Sequence, residues 1–207
     1  MDESAVSRWV PSTGREAKRR ATMLKIAACA QELTLAHGLD GFTMDDLAVE
    51  VGVSRRTLFN YFGGKVEAVL GATPEAPADL IATFRAGGPS GDLVADVAGL
   101  AEALVFAGDF SRAEIARARQ VINSDPRLLG ASYENFRAVI GHYVEEIRIR
   151  EGDAFDPTRA EIVIRLLGAL FDLALDNFLA HPDSRPLAEE YADLVQRTRA
   201  LFADPSH

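Results

Sequence analysis

The chain has 207 residues, 48% of them apolar, a single cysteine and a formal net charge of −9. Length and composition supply a sizeable core and argue against wholesale disorder. One thiol, Cys29, excludes an intrachain disulfide framework and fits a reducing, cytoplasmic setting, while the net charge taken alone argues against a nucleic-acid binder. The most apolar stretch, 162–179, is interrupted by Arg165, Asp172 and Asp176 and so is no membrane span. The acidic, then polar, start lacks the apolar centre of a signal peptide.

The distribution of charge changes the reading of the total. Residues 1–72 hold nine Lys or Arg and nine Asp or Glu, so the whole acidic surplus lies beyond them. That asymmetry suits a DNA-facing end joined to an acidic body, although an acidic surface also simply keeps a protein soluble.

In chain order, residues 1–14 read as a flexible tail. Arg15 to His37 reads as a helix, with Met23, Ile26, Ala27, Ala30, Leu33, Thr34 and His37 at helical spacing and Gly38 as its stop. Thr43 is placed to cap the next helix, whose first turn carries Asp45 and Asp46, where the helix dipole favours acid. Leu47, Ala48 and Val51 face inward, Gly52 breaks the helix, and Ser54 caps a third helix with Leu58 and Phe62 on its buried side. Gly63 and Gly64 end that helix, and Lys65 to Leu70 forms a short fourth. Two short helices joined by a glycine turn are a helix-turn-helix, the unit that sets one helix in a DNA major groove.

A stretch punctuated by proline and glycine follows at 71–91, with a short helical piece at 78–86. Beyond it the period is helical throughout: a helix marked by Leu93, Val97, Leu100 and Leu104, another over 112–123, and a long one over 127–151. Tyr133, Phe136, Ile140, Tyr143 and Ile147 share one face of the long helix. That stripe reads either as core or as the lining of a ligand pocket, with Phe106, Phe110 and Phe171 as further candidates. The helix expected at 157–180 is about 36 Å long at 1.5 Å per residue. Its charges Glu161, Arg165, Asp172 and Asp176 fall within about 60° of one another, so apolar side chains fill most of the remaining circumference and need cover on two sides. With the last helix at 187–202 it can build a four-helix seam in a twofold homodimer; a monomer whose own core covers both faces is the alternative. The fold class expected is all-α, about nine or ten helices: a three-helix DNA-binding domain over 15–72 and a larger ligand-binding and dimerisation domain over 73–207.

On the third helix, Arg55, Arg56, Thr57, Asn60 and Tyr61 lie on or beside the face opposite Leu58 and Phe62. Arg can donate two hydrogen bonds to guanine, Asn can pair with adenine, and the Thr methyl can touch a thymine methyl. Thr43, Ser54, Tyr61 and Lys65 suit phosphate, with backbone N–H groups at the helix starts. The upstream run Arg15, Lys18, Arg19, Arg20 and Lys25 either reaches the flanking backbone or is a solvated helix start. Catalysis has little support. No acid–base pair emerges, Cys29 has no histidine near it in sequence, and His37, His142, His181 and His207 form no metal-spaced pair. No enzyme activity, cofactor or metal is expected.

From Ala36-His37-Gly38-Leu39-Asp40-Gly41-Phe42-Thr43-Met44-Asp45-Asp46-Leu47-Ala48, then Val51-Gly52-Val53-Ser54-Arg55-Arg56-Thr57-Leu58-Phe59-Asn60-Tyr61-Phe62 with Lys65, the segment 22–70 resembles the N-terminal domain of the TetR/AcrR family of transcriptional repressors. The resemblance implies a homodimer, a palindromic double-stranded DNA operator and a pocket for a small-molecule effector in the C-terminal domain. It matches Arg55, Arg56 and Thr57 to base-reading positions, and Tyr61 and Lys65 to base or phosphate contacts. Phe59 stands where the family usually has Tyr, which removes a hydroxyl for phosphate. Gly63-Gly64 replaces the usual Pro-Ser or similar pair, which implies a looser link to the helix that couples ligand to DNA release. A helical ligand-binding or scaffold protein with a vestigial DNA module remains the second reading.

Overall fold

Each region of helical spacing forms helix, except that the third helix stops at Phe59 with Asn60 as its cap, so Phe62 and the Gly63-Gly64 pair lie beyond it, not on it or at its end. The computed structural model describes residues 14–73, 75–105 and 110–203. Among them are ten α-helices and no strand: α1 (Gly14–His37), α2 (Met44–Val51), α3 (Arg55–Phe59), α4 (Lys65–Leu70), α5 (Ala78–Arg85), α6 (Leu93–Val105), α7 (Arg112–Ser124), α8 (Pro126–Glu151), α9 (Pro157–Ala180) and α10 (Leu187–Ala203). The tail expected over 1–14 lies outside the described residues, save Gly14.

Two compact units divide these helices. The N-terminal unit takes residues 14–73 together with 110–137; the C-terminal unit takes 75–105 together with 138–203. Helix α8 thus begins in one and ends in the other.

In the N-terminal unit the helix ends are set by local chemistry. A capping box starts α2: the Asp46 N–H donates to Thr43 Oγ1, and Asp46 Oδ2 accepts from the Thr43 N–H at 2.8 Å. Gly52 ends α2 at φ 77°, a left-handed conformation that glycine adopts without steric cost. Before α2, a Cβ added at Gly41 would lie 2.1 Å from the His37 carbonyl oxygen, so only glycine lets the chain turn there. The core joins Ile26 and Ala30 of α1, Leu39 and Phe42 of the loop, Leu47, Ala48 and Val51 of α2, Leu58 of α3, Phe62, and Ala68 and Val69 of α4. Val121 of α7 and Leu128 of α8 complete it. Arg117 pairs with Glu32 at 2.9 Å, and Arg127 forks onto Asp40 at 2.9 and 2.8 Å, so α7 and α8 are tied to this unit by charge as well as by apolar burial. His37, expected on the inner stripe of α1, is exposed in its last turn.

In the C-terminal unit α9 packs on α10 and α6. Ala160, Ile164, Leu167, Ala174 and Phe178 form its buried face, and α10 buries Leu187, Tyr191 and Val195. The opposite side of α9 leaves Ile162, Leu166 and Leu173 exposed, as are Leu201 and Phe202 of α10. Among the described residues, then, α9 is covered on one side and not on two. Ion pairs with enclosed carboxylates brace this unit. Arg150 meets Asp96 at 2.8 Å with both side chains almost wholly enclosed, and Arg85 forks onto buried Glu146 at 2.6 and 2.8 Å.

Candidate DNA-binding site

The site is built on α2, the Gly52 turn and α3. Leu58 and Phe62 are sunk in the core, and that orientation turns Arg55, Arg56, Phe59 and Asn60 outward. Arg56 is exposed, and among the described residues its guanidinium makes no ion pair or hydrogen bond. Asn60, at the end of α3, is also exposed. The two stand four residues apart, on one face of the helical turn.

Several of the other expected contact residues are already occupied. Thr43 Oγ1 donates to Asp46 Oδ2 at 2.7 Å while capping α2. That hydrogen bonding holds the Asp46 carboxyl below the ordinary range. Ser54 Oγ lies 2.7 Å from Thr57 Oγ1 and accepts from the Thr57 N–H at 3.0 Å, so both hydroxyls serve the start of α3. Lys65 donates from Nζ to the carbonyls of Leu39 at 2.7 Å and Phe42 at 2.8 Å, with the Phe42 ring centroid 5.2 Å away. One of its three N–H groups is left for phosphate. Tyr61 is half-buried against the core, and the Arg19 guanidinium sits 5.9 Å from its ring centroid. That contact brings one member of the upstream basic run to α3. Lys25 is committed elsewhere, donating to the Val51 carbonyl at 2.8 Å at the end of α2.

Arg55 is held more elaborately. Its Nη1 donates to Asp45 Oδ2 at 2.8 Å, and its Cζ lies 5.4 Å from the Phe59 ring centroid. Sequence alone marks Asp45 only as a partner of the α2 dipole. The available signal was its place in the first turn of α2, ten residues before Arg55 across a glycine turn. The Gly63-Gly64 link is also tied: the Gly63 N–H donates to Glu67 Oε2 at 2.7 Å, one turn into α4.

The candidate pocket residues separate. Phe110, Tyr133 and Phe136 belong to the N-terminal unit and are exposed, whereas Ile140 and Tyr143 are buried and Phe171 half-buried in the C-terminal unit. Phe106 lies outside the described residues. Burial pushes the Tyr143 hydroxyl up to about 12, against an opposing backbone hydrogen bond from Ala76. Cys29 packs against the N-terminal core, and burial, with Glu50 and Glu32 nearby, raises its thiol pKa. Among the described residues no three His, Cys, Asp or Glu side chains gather as a metal set, and no helix is long and apolar enough to cross a membrane.

Comparison with known proteins bears on this segment. The family model described as bacterial regulatory proteins, tetR family, matches residues 20–70. A proposed mycofactocin biosynthesis transcriptional regulator, MftR, of Mycobacterium tuberculosis is 40% identical over 57 residues. That match spans 27% of this chain and 29% of the relative's length. A crystal structure of a proposed TetR-family transcriptional regulator from Mesorhizobium loti aligns over 91% of this chain and 98% of that one, at 17% identity and a TM-score of 0.49. Residues 20–70 are thus similar to the tetR family of bacterial regulatory proteins, while the chain spans less than a third of the length of the curated relative it matches.

Proposed function

We propose that this protein is a DNA-binding transcriptional regulator, acting as a homodimeric repressor on a palindromic operator and released from it by a small apolar effector. The observation that carries this reading is the outward face of α3. Arg56 and Asn60 stand exposed and uncommitted there, within the segment that matches the tetR family. Arg56 and Asn60 read base edges, guanine and adenine being their natural partners. Arg55 and the Thr57 methyl read beside them. Thr43, Ser54, Tyr61 and the remaining Lys65 N–H serve the phosphates, which fix register without reading sequence.

The exposed apolar stripe of Ile162, Leu166 and Leu173 on α9, with Leu201 and Phe202 of α10, supports dimerisation through the helices at 157–180 and 187–202. A twofold dimer spaces two recognition helices one helical turn of DNA apart, about 34–36 Å. Ile140, Tyr143 and Phe171 are the side chains of the C-terminal unit best suited to meet an apolar effector. Such an effector shifts the population toward a conformer with the wrong spacing, in proportion to its preference for that conformer.

The test is selection from a pool of duplexes with randomised cores, using the full chain. The expected result is an enriched inverted repeat, bound with an affinity that falls steeply with salt. Leu166→Glu, placed in the exposed stripe, is expected to yield monomers in sedimentation and to lose the inverted repeat. Recovery of no sequence from the pool, or salt-independent binding, overturns the reading.

A further inference from the structure

Arg55 lies on the face proposed to read DNA, yet a carboxylate already occupies one of its N–H groups. Asp45 sits in the first turn of α2, exposed at its side chain to 58%, and Arg55 is exposed to 66%. Neither group is enclosed, so the pair is not a device for burying charge, and an exposed pair of this kind adds little to stability. An acidic group beside a surface meant for phosphate also carries an electrostatic cost. Its position therefore calls for a compensating role.

The geometry supplies one. The guanidinium is restrained from two directions: Asp45 Oδ2 accepts from Nη1 at 2.8 Å, and Cζ lies over the Phe59 ring, 5.4 Å from its centroid. Phe59 is one helical turn after Arg55 and is itself 41% exposed, too open to serve only as core. It has no hydroxyl to offer a phosphate, but its ring face attracts a guanidinium. A free arginine has many rotamers and loses that freedom when it binds a base; one held by a carboxylate and a ring has lost much of it beforehand. Arginine has five N–H groups, so four remain after Asp45 is served.

We infer that Asp45 is a specificity-determining positioning residue. With Phe59 as platform, it holds the Arg55 guanidinium for base readout and keeps that charge from engaging phosphates indiscriminately. The inference rests on the proposed DNA-reading role of α3. It has an unusual signature: removing Asp45 strengthens binding to random DNA while weakening discrimination. The freed Arg55 becomes one more net cation for phosphate, and it is no longer aimed.

The test compares the full-length wild type with Asp45→Ala, Asp45→Asn and Arg55→Ala, each checked for unchanged helix content. Each is put through selection from the randomised duplex pool and then titrated, over a salt series, against the wild type's selected duplex and a scrambled one. For Asp45→Ala and Asp45→Asn the expected result is about a fivefold loss of preference at one symmetric base-pair position per half-site. Tighter binding to the scrambled duplex is expected with it, and a salt slope steeper by about 0.9 per half-site. Asp45→Ala introduced into Arg55→Ala should leave the base preference at that position unchanged, because the discrimination is lost through Arg55. Unchanged preference at every position in both Asp45 variants, with the wild type selecting a sequence normally, overturns the inference alone. A wild type that selects no sequence overturns it together with the DNA-reading proposal.

Discussion

Lys65 shows how one side chain can serve structure at a position where its charge also suggests DNA. Its ammonium reaches back to the carbonyls of Leu39 and Phe42 and so pins the loop between α1 and α2 to the start of α4. Hydrogen bonds from a charged donor to partly buried carbonyls contribute more than neutral ones, and leaving those carbonyls unmet is costly. Lys65→Met, which keeps much of the length but none of the N–H groups, is therefore expected to destabilise the N-terminal unit by about 1–3 kcal/mol. Thermal melting without DNA measures this. An unchanged melt, with a salt slope reduced by about one, would instead assign Lys65 to phosphate alone. Sequence pattern told that a lysine belongs at this position. It could not tell that two carbonyls from 23 and 26 residues earlier take most of its donors.

At the scale of elements, α7 and the start of α8 are part of what holds α1 to α4 together. Leu128 is fully buried in the same core as Leu47, Leu58 and Val69. Leu128→Ala should cost about 2–5 kcal/mol, the usual range for a buried leucine. The effect should appear as faster amide exchange in α1 to α4, although Leu128 lies far outside the matched 20–70 segment. Protection unchanged in those helices would show that their core stands without it. The existence of the helices and the starts of α2 and α3 are legible in sequence because a 3.6-residue period and a capping side chain are local signals; the end of α3 at Phe59, short of Gly63-Gly64, is not. Thr43, Gly52 and Ser54 set the ends where they were expected. Periodicity shows which face of a helix is apolar but not what covers it. For that reason Tyr133 and Phe136 read as one stripe with Ile140 and Tyr143, whereas the stripe passes from exposed to buried where α8 leaves the N-terminal unit.

For the molecule as a whole, buried carboxylates set the response to acid. Burial pushes the Asp96 carboxyl up, but hydrogen bonds from Ser90 and the Arg150 guanidinium outweigh it and hold the group below its ordinary value. The Arg85 fork does the same for Glu146. In both, the folded carboxyl is more acidic than the unfolded one, so the unfolded chain binds more protons as pH falls. Stability from these groups is thus complete above the ordinary carboxylate range and is lost as pH drops through it toward the folded values. Urea midpoints measured across that range should fall with acid, and less steeply in Glu146→Gln; a flat acid limb in the wild type would contradict this. Whether α3 reads DNA sequence is decided by Arg56→Ala titrated against the selected duplex and a scrambled one at the same salt. The expected loss is about 1–3 kcal/mol on the selected duplex, with relaxed preference at one base pair per half-site and a much smaller loss on the scrambled duplex. Equal losses on the two duplexes would contradict that role for α3.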